Sequence, residues 1–261
     1  MSVLEKRLRE RRDGGSSLLV PYLTAGVSAD WLDHARAFAD AGADAIEIGL
    51  PFSDPMLDGT AVQQASQRAL ERGMTPHTAI TQAAGLSVDV PLVAMTYSNL
   101  VQRHGQAHFC ERLRDAGFAG LIVVDTPLDE AEPLVEAARQ HTIDLVLMIA
   151  PSTSDQRVKQ IAGLSRGFVY AATVMGTTGE RTGVPEAAAR LVSRARQHST
   201  LPVLLGFGIS TPDDAVRAAA VADGIAVGSA LMRRVLAGAG PTQTGGYVRD
   251  LRVALDADRS L

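Results

Sequence analysis

The stretch LPVLLGFGISTPDDAVRAAAVADGIAVGSA, residues 201–230, holds one structural repeat and the start of the next. Residues 202–207 form an apolar run rich in Val and Leu, the composition of a strand buried on both faces of a parallel sheet. Leu205-Gly206-Phe207-Gly208-Ile209-Ser210 closes that run and leads into a helix over 211–221, capped by Ser210 or Thr211. A second apolar run, 224–227, closes on Gly228-Ser229-Ala230 at the head of another helix. The repeat is strand, glycine-rich turn, helix.

The same unit recurs toward the N-terminus. Further apolar runs fall at 18–23, 45–49, 92–97, 120–125, 144–149 and 167–172, making eight in all. Amphipathic helical patterns separate them at 30–41, 106–116, 129–141, 154–163 and 185–197. Eight strands alternating with helices, without a linker or a composition break, predict an α/β fold: a single (β/α)8 TIM barrel over 1–261. A doubly wound open sheet is the competitor, and the eightfold count favours the barrel. Two segments exceed a plain barrel, an extra N-terminal helix at 3–12 and a terminal segment at 247–258. Two connections are long, 50–61 after the second strand and 175–184 after the sixth. In a barrel, the loops that follow strands build the active site.

The totals agree with one large domain. A chain of 261 residues with 46% hydrophobic and 21% charged residues can bury a sizeable core. A net charge of −4 offers no basic surface for nucleic acid or membrane. The first seventeen residues lack the apolar core of a signal peptide, and no apolar run approaches the ~20 residues that span a bilayer. Cys110 is the single cysteine and cannot form an internal disulfide, so a cytoplasmic location is expected.

Ala45-Ile46-Glu47-Ile48-Gly49 places an ionisable group in the middle of an apolar strand. With a period of two, Glu47 shares a face with Ala45 and Gly49, and that face points into the barrel. A buried carboxylate without a cation raises its own pKa, which suits a general acid near neutral pH. The bland alternative is a Glu paired with a buried cation, and no barrel strand supplies one. Eleven positions on, Asp58 sits in a stiff loop, Pro51-Phe52-Ser53-Asp54-Pro55-Met56-Leu57-Asp58-Gly59. Asp before Gly is by default a turn former. Asp54 shares that default, but directly after the strand that carries Glu47 at least one of the two is expected to be functional, and paired carboxylates at a barrel mouth can divide acid and base work.

The loops after strands seven and eight are rich in glycine and end at helix N-termini, where backbone N–H groups and the helix dipole favour an anion. A third such loop, Gly176-Thr177-Thr178-Gly179-Glu180-Arg181-Thr182-Gly183, follows strand six. One glycine cluster is weak, whereas three at one end of a barrel predict a phosphorylated ligand. The histidines, at 34, 77, 104, 108, 141 and 198, fall in helices or on bottom loops, and solvated faces are expected for them. None has metal-ligand spacing with a carboxylate, so no metal is expected. Lys159 is the only lysine past the N-terminal helix and lies in a helical pattern, which disfavours a Schiff base. Thr24-Ala25-Gly26 is too short for a dinucleotide fingerprint. What remains is proton transfer without a cofactor.

The run Ile46-Glu47-Ile48-Gly49-Leu50-Pro51-Phe52-Ser53-Asp54-Pro55-Met56-Leu57-Asp58-Gly59 resembles the signature of the tryptophan synthase alpha chain family. Pro21-Tyr22-Leu23-Thr24-Ala25-Gly26, Met95-Thr96-Tyr97-Ser98-Asn99-Leu100 and Gly206-Phe207-Gly208-Ile209 resemble its first, third and seventh strands. The resemblance implies retro-aldol cleavage of indole-3-glycerol phosphate to indole and D-glyceraldehyde 3-phosphate, within tryptophan biosynthesis. It casts Glu47 as the acid/base and Asp58 as the acceptor for the indole N–H. It implies an indole pocket of Tyr22, Tyr97, Ile122, Val124, Ile149, Tyr170 and Phe207. It also implies phosphate contacts at Gly179, Gly208, Gly228 and Ser229, and a lid residue at Thr178. Asp54 and Pro55 would meet a beta chain in an alpha2beta2 tetramer, and pyridoxal phosphate would belong to that beta chain alone. The sequence departs from the family pattern around the mouth, at Val27, Thr60, Thr126, Thr173 and Val174. Three alternatives are a stand-alone lyase releasing free indole, a non-catalytic allosteric subunit, and another phosphate-binding barrel enzyme such as a sugar-phosphate isomerase.

Overall fold

The structure, a computed structural model, describes residues 1–172, 186–206 and 208–258. Nine strand segments, all parallel to their neighbours, build the barrel: β1 (Leu18–Thr24), β2 (Ile46–Gly49), β3 (Leu92–Thr96), β4 (Phe118–Val123), β5 (Asp144–Val146), β6 (Met148–Ile149), β7 (Val169–Ala172), β8 (Val203–Gly206) and β9 (Gly224–Val227). The order is β5-β4-β3-β2-β1-β9-β8-β7-β6. β5 and β6 are consecutive pieces of the fifth predicted strand, so the eight predicted positions and the barrel stand.

The fifth strand is broken, where the sequence predicts an unbroken run at 144–149. β5 pairs only with β4, and β6 only with β7. Between them the Leu147 N–H donates to Ser165 Oγ at 3.3 Å, while the Leu147 carbonyl accepts from the Tyr170 N–H at 3.1 Å. A side-chain hydroxyl thus stands in for a strand partner, and apolar composition carries no trace of such a substitution.

Residues alternate between two apolar clusters. Leu18, Val20, Ala45, Val93, Ile122, Val146, Tyr170 and Leu204 pack inside the barrel, and Leu19, Ile46, Ile48, Leu121 and Leu145 pack under the helices. The N-terminal helix Val3–Asp13 closes the N-terminal end of the barrel with Leu4 and Leu8, both fully buried in the inner cluster. Ser2 caps this helix by accepting from the Glu5 N–H, and its hydroxyl also donates to Asp144. At the same end, Asp44 accepts from the Leu19 N–H and from Arg11, while Arg252 donates to the Ser17 carbonyl. A plugged bottom leaves the C-terminal mouth as the place for chemistry.

Other departures from the sequence reading are local. The terminal helix spans Pro241–Asp258 and so begins six residues before the expected 247. The long connection after β2 ends early, because the helix Thr60–Glu71 begins directly after Gly59. A five-residue helix, Ser98–Gln102, follows β3, its first N–H donating to Asp125 Oδ1 at 2.6 Å. His34 overturns the solvated reading of the histidines: it is buried, with Nδ1 2.7 Å from Thr244 Oγ1. Its neighbours Trp31, Ala35 and Phe38 lie on the same buried face, which draws the ring in with them. No helix among the described residues is long and apolar enough to cross a membrane.

Candidate active site

Glu47 sits in β2 beside Tyr22 of β1 and Val93 of β3, and only 1% of it is exposed. Among the described residues its Oε1 has no hydrogen-bond partner. Desolvation alone pushes the carboxyl up from 4.5 to about 8. At neutral pH most of the population is therefore protonated, the state a proton donor needs.

The small neighbours of Glu47 make room for a ring. Tyr22 pairs with Glu47 across the sheet and leans over Gly49, two positions further along β2; a Cβ on Gly49 would lie 2.0 Å from the Tyr22 hydroxyl. The arrangement repeats across the barrel, where Tyr170 pairs with Leu204 and a Cβ on Gly206 would lie 2.2 Å from its hydroxyl. Strand tilt explains the offset of two, because residues level with one another around a barrel are staggered along the chain. Both phenol pKa values are raised by burial, and the Tyr22 hydroxyl is 3.0 Å from Thr24 Oγ1.

Asp58 is held by its own loop. Phe52 stacks on Tyr97 with ring centroids 4.9 Å apart. The Leu57 N–H donates to the Tyr97 hydroxyl, which donates in turn to Asp58 Oδ2, each at 3.1 Å. Gln63 Nε2 donates to the Asp58 carbonyl at 2.9 Å. Burial raises the Asp58 pKa, and the bond from Tyr97 opposes the rise. Asp58 is anchored, not a free turn residue.

Glu47 and Asp58 line one cavity of about 200 Å³. Tyr22, Met95, Tyr170, Val62 and Gly59 share its wall with them, and Gly208, Ile209, Ser210, Ala226, Gly228, Ser229 and Arg233 complete it. Gly208 has φ +82, a left-handed conformation that favours glycine. The helix Ser229–Leu236 begins at the cavity wall and supplies N–H groups and a favourable dipole for an anion.

Of the residues singled out from the sequence, Glu47, Asp58, Tyr22, Tyr170, Gly208, Gly228 and Ser229 meet at this cavity. Tyr97 lines an adjoining cleft with Asp58 and Phe52. Ile122 and Val124 pack in the inner core, and Ile149 packs with the outer cluster; none of the three lines the cavity. Asp54 is exposed and Pro55 half-buried, on the outer part of the loop. Thr178, Gly179 and Phe207 lie outside the described residues, as does the whole 175–184 connection. Sequence reasoning did not single out Val62, Ala226 or Arg233, and it quoted Met95, Gly59, Ile209 and Ser210 only as parts of longer motifs. Met95 was accessible by the period of two from Val93, and Arg233 by lying one helical turn after Ser229. Among the described residues no three His, Cys, Asp or Glu side chains group into a metal site.

A parallel barrel with a buried, unpartnered acid and an anchored one facing glycine-rich helix starts at its C-terminal mouth is an enzyme-type (β/α)8 barrel. Comparison with known proteins gives its family. The model for "Tryptophan synthase alpha chain" matches residues 8–248. Proteins of that name from Dehalococcoides mccartyi and a Synechococcus species are similar over nearly their whole length. The first is 36% identical across 91% of this chain and 95% of its own; the second is 39% identical across 98% of both. Mycobacterium tuberculosis tryptophan synthase superposes with a TM-score of 0.89 at 33% identity, covering 97% of this chain and 98% of that one. The alpha subunit from Legionella pneumophila gives 0.88 at 29% identity, with 98% and 99% coverage. The chain belongs to the tryptophan synthase alpha chain family and is a lyase subunit.

Proposed function

We propose that the chain cleaves indole-3-glycerol phosphate to indole and D-glyceraldehyde 3-phosphate, with Glu47 and Asp58 dividing the work. The observation that carries this reading is a buried, unpartnered carboxyl, its pKa raised by desolvation, in the same cavity as an anchored acid and the glycine-rich helix starts. Glu47 donates its proton to indole C3, giving an indolenine cation whose N–H is hydrogen-bonded to Asp58. The resulting Glu47 carboxylate takes the proton of the glycerol hydroxyl next to the ring. The C–C bond then breaks, its electron pair returns to the ring to neutralise the cation, and the hydroxyl carbon leaves as the aldehyde. Glu47 ends protonated, so no net proton or cofactor is required. Tyr22 and Tyr170 flank the ring, and Gly208, Gly228 and Ser229 hold the phosphate.

The chain works with a beta chain in an alpha2beta2 assembly in the cytoplasm, with pyridoxal phosphate confined to the partner. Supporting this is the loop around Asp54 and Pro55, where Met56 and Leu57 are 79% and 53% exposed, a hydrophobic pair beside the mouth. The test follows indole and aldehyde released from indole-3-glycerol phosphate by the purified chain, with and without a beta chain. Equimolar products, formed faster with the beta chain, are expected. Turnover absent in both cases would remove the proposal.

A further inference from the structure

We propose that Arg233 supplies the positive charge with which this site selects a phosphate dianion, a role beyond the backbone contacts; the inference rests on the phosphate end assigned above. Arg233 is the only cation lining the cavity among the described residues, and the carboxyl groups there are those of Glu47 and Asp58. It lies four residues after Ser229 on the helix Ser229–Leu236, so both occupy one face. Helical side chains lean toward the N-terminus, which carries the guanidinium back toward Gly228 and Ser229.

Its only hydrogen bond among the described residues is the one Nη2 donates to Ser210 Oγ at 3.3 Å, and it makes no ion pair with them. Ser210 is itself fixed. Its N–H donates to Asp214 Oδ2 at 3.1 Å, and its carbonyl accepts from the Tyr247 hydroxyl at 3.1 Å. The Ser210 N–H is committed to Asp214 and is not available to an anion. The turn carries two acids, Asp213 and Asp214; Asp214 is paired with Arg217, and among the described residues neither acid forms an ion pair with Arg233. A phosphate monoester carries close to two negative charges at neutral pH. Backbone N–H groups alone would leave that charge facing Asp58 without a counterion. A guanidinium fork supplies the charge and parallel donors.

Arg234 provides an internal control. Its guanidinium stands 3.6 Å above the Tyr247 ring and does not line the cavity. The test compares Arg233→Gln, Arg233→Lys and Arg234→Gln in the full chain. Expected for Arg233→Gln is a KM for indole-3-glycerol phosphate raised about tenfold or more, with kcat within about twofold. Inhibition by inorganic phosphate should weaken in parallel, with an intermediate value for Arg233→Lys and near wild-type values for Arg234→Gln. Direct titration with inorganic phosphate decides the point even if the wild-type chain releases no indole, which would fail the cleavage reading instead. Unchanged KM and phosphate affinity in Arg233→Gln, or an equal loss in Arg234→Gln, would overturn the role. Circular dichroism guards against misfolding; should Arg233→Gln not fold, Arg233→Lys against wild type decides on the same readouts.

Discussion

At the scale of single residues, Glu47 is both the reactive group and a liability. Its carboxyl titrates near 4.5 when exposed and at about 8 when folded, so between these values the folded chain binds more protons than the unfolded one. Stability attributable to this group is therefore intact below the lower value and falls as pH rises through the upper one. Glu47→Gln removes that loss: a melting temperature at least about 3 °C above wild type at pH 9, and little different at pH 5, is expected from thermal scans. The reverse order at pH 9 would mean that the carboxyl is paired. The same titration shapes catalysis, because the first step needs protonated Glu47. We expect kcat/KM for indole release to decline above pH 8. On the acid side, the Tyr97 hydroxyl holds down the pKa that burial raises at Asp58. Tyr97→Phe should move the acid limb of kcat/KM to higher pH and lower its plateau about tenfold. An unmoved limb would show that Tyr97 only packs.

At the scale of elements, the plug and the mouth are separable. Leu8 fills the bottom of the barrel from the helix Val3–Asp13, far along the strands from Glu47 and Asp58. Leu8→Ala should cost about 2–5 kcal/mol in a denaturant titration, from lost burial and a cavity, yet leave KM within about twofold. A large KM change would mean that the plug sets the geometry of the mouth. The tyrosine-over-glycine pairs predict the opposite pattern. Gly49→Ala puts a methyl where the Tyr22 hydroxyl lies, so ring and Glu47 cannot both keep their places. Activity should fall by more than about tenfold with a smaller loss of stability than Leu8→Ala, as read by the same assays. The strands were legible because double-sided burial writes itself as unbroken apolar runs. The break at Leu147 was not, because it depends on Ser165, a residue distant in sequence whose hydroxyl carries no apolar signature.

At the scale of the whole molecule, the residues that carry chemistry stood out where they violate the pattern around them. Glu47 is an acid in an apolar strand, and Gly208 and Gly228 fall where strands give way to helices. Residues obeying a local pattern stayed hidden: Met95 lies in an apolar strand and Arg233 on an amphipathic helix, with nothing local to single them out, yet both line one cavity. Ile122, Val124 and Ile149 illustrate the converse, apolar residues that the family resemblance places in the pocket and that pack in the core clusters instead of lining the cavity. What unites the account is one buried acid delivering and retrieving a proton at a carbon held opposite a second acid. The most direct test is the rate of indole release at saturating indole-3-glycerol phosphate by Glu47→Gln beside the wild-type chain. The account predicts a fall in kcat of about a thousandfold with KM changed by less than about threefold. A kcat within about tenfold of wild type would contradict it.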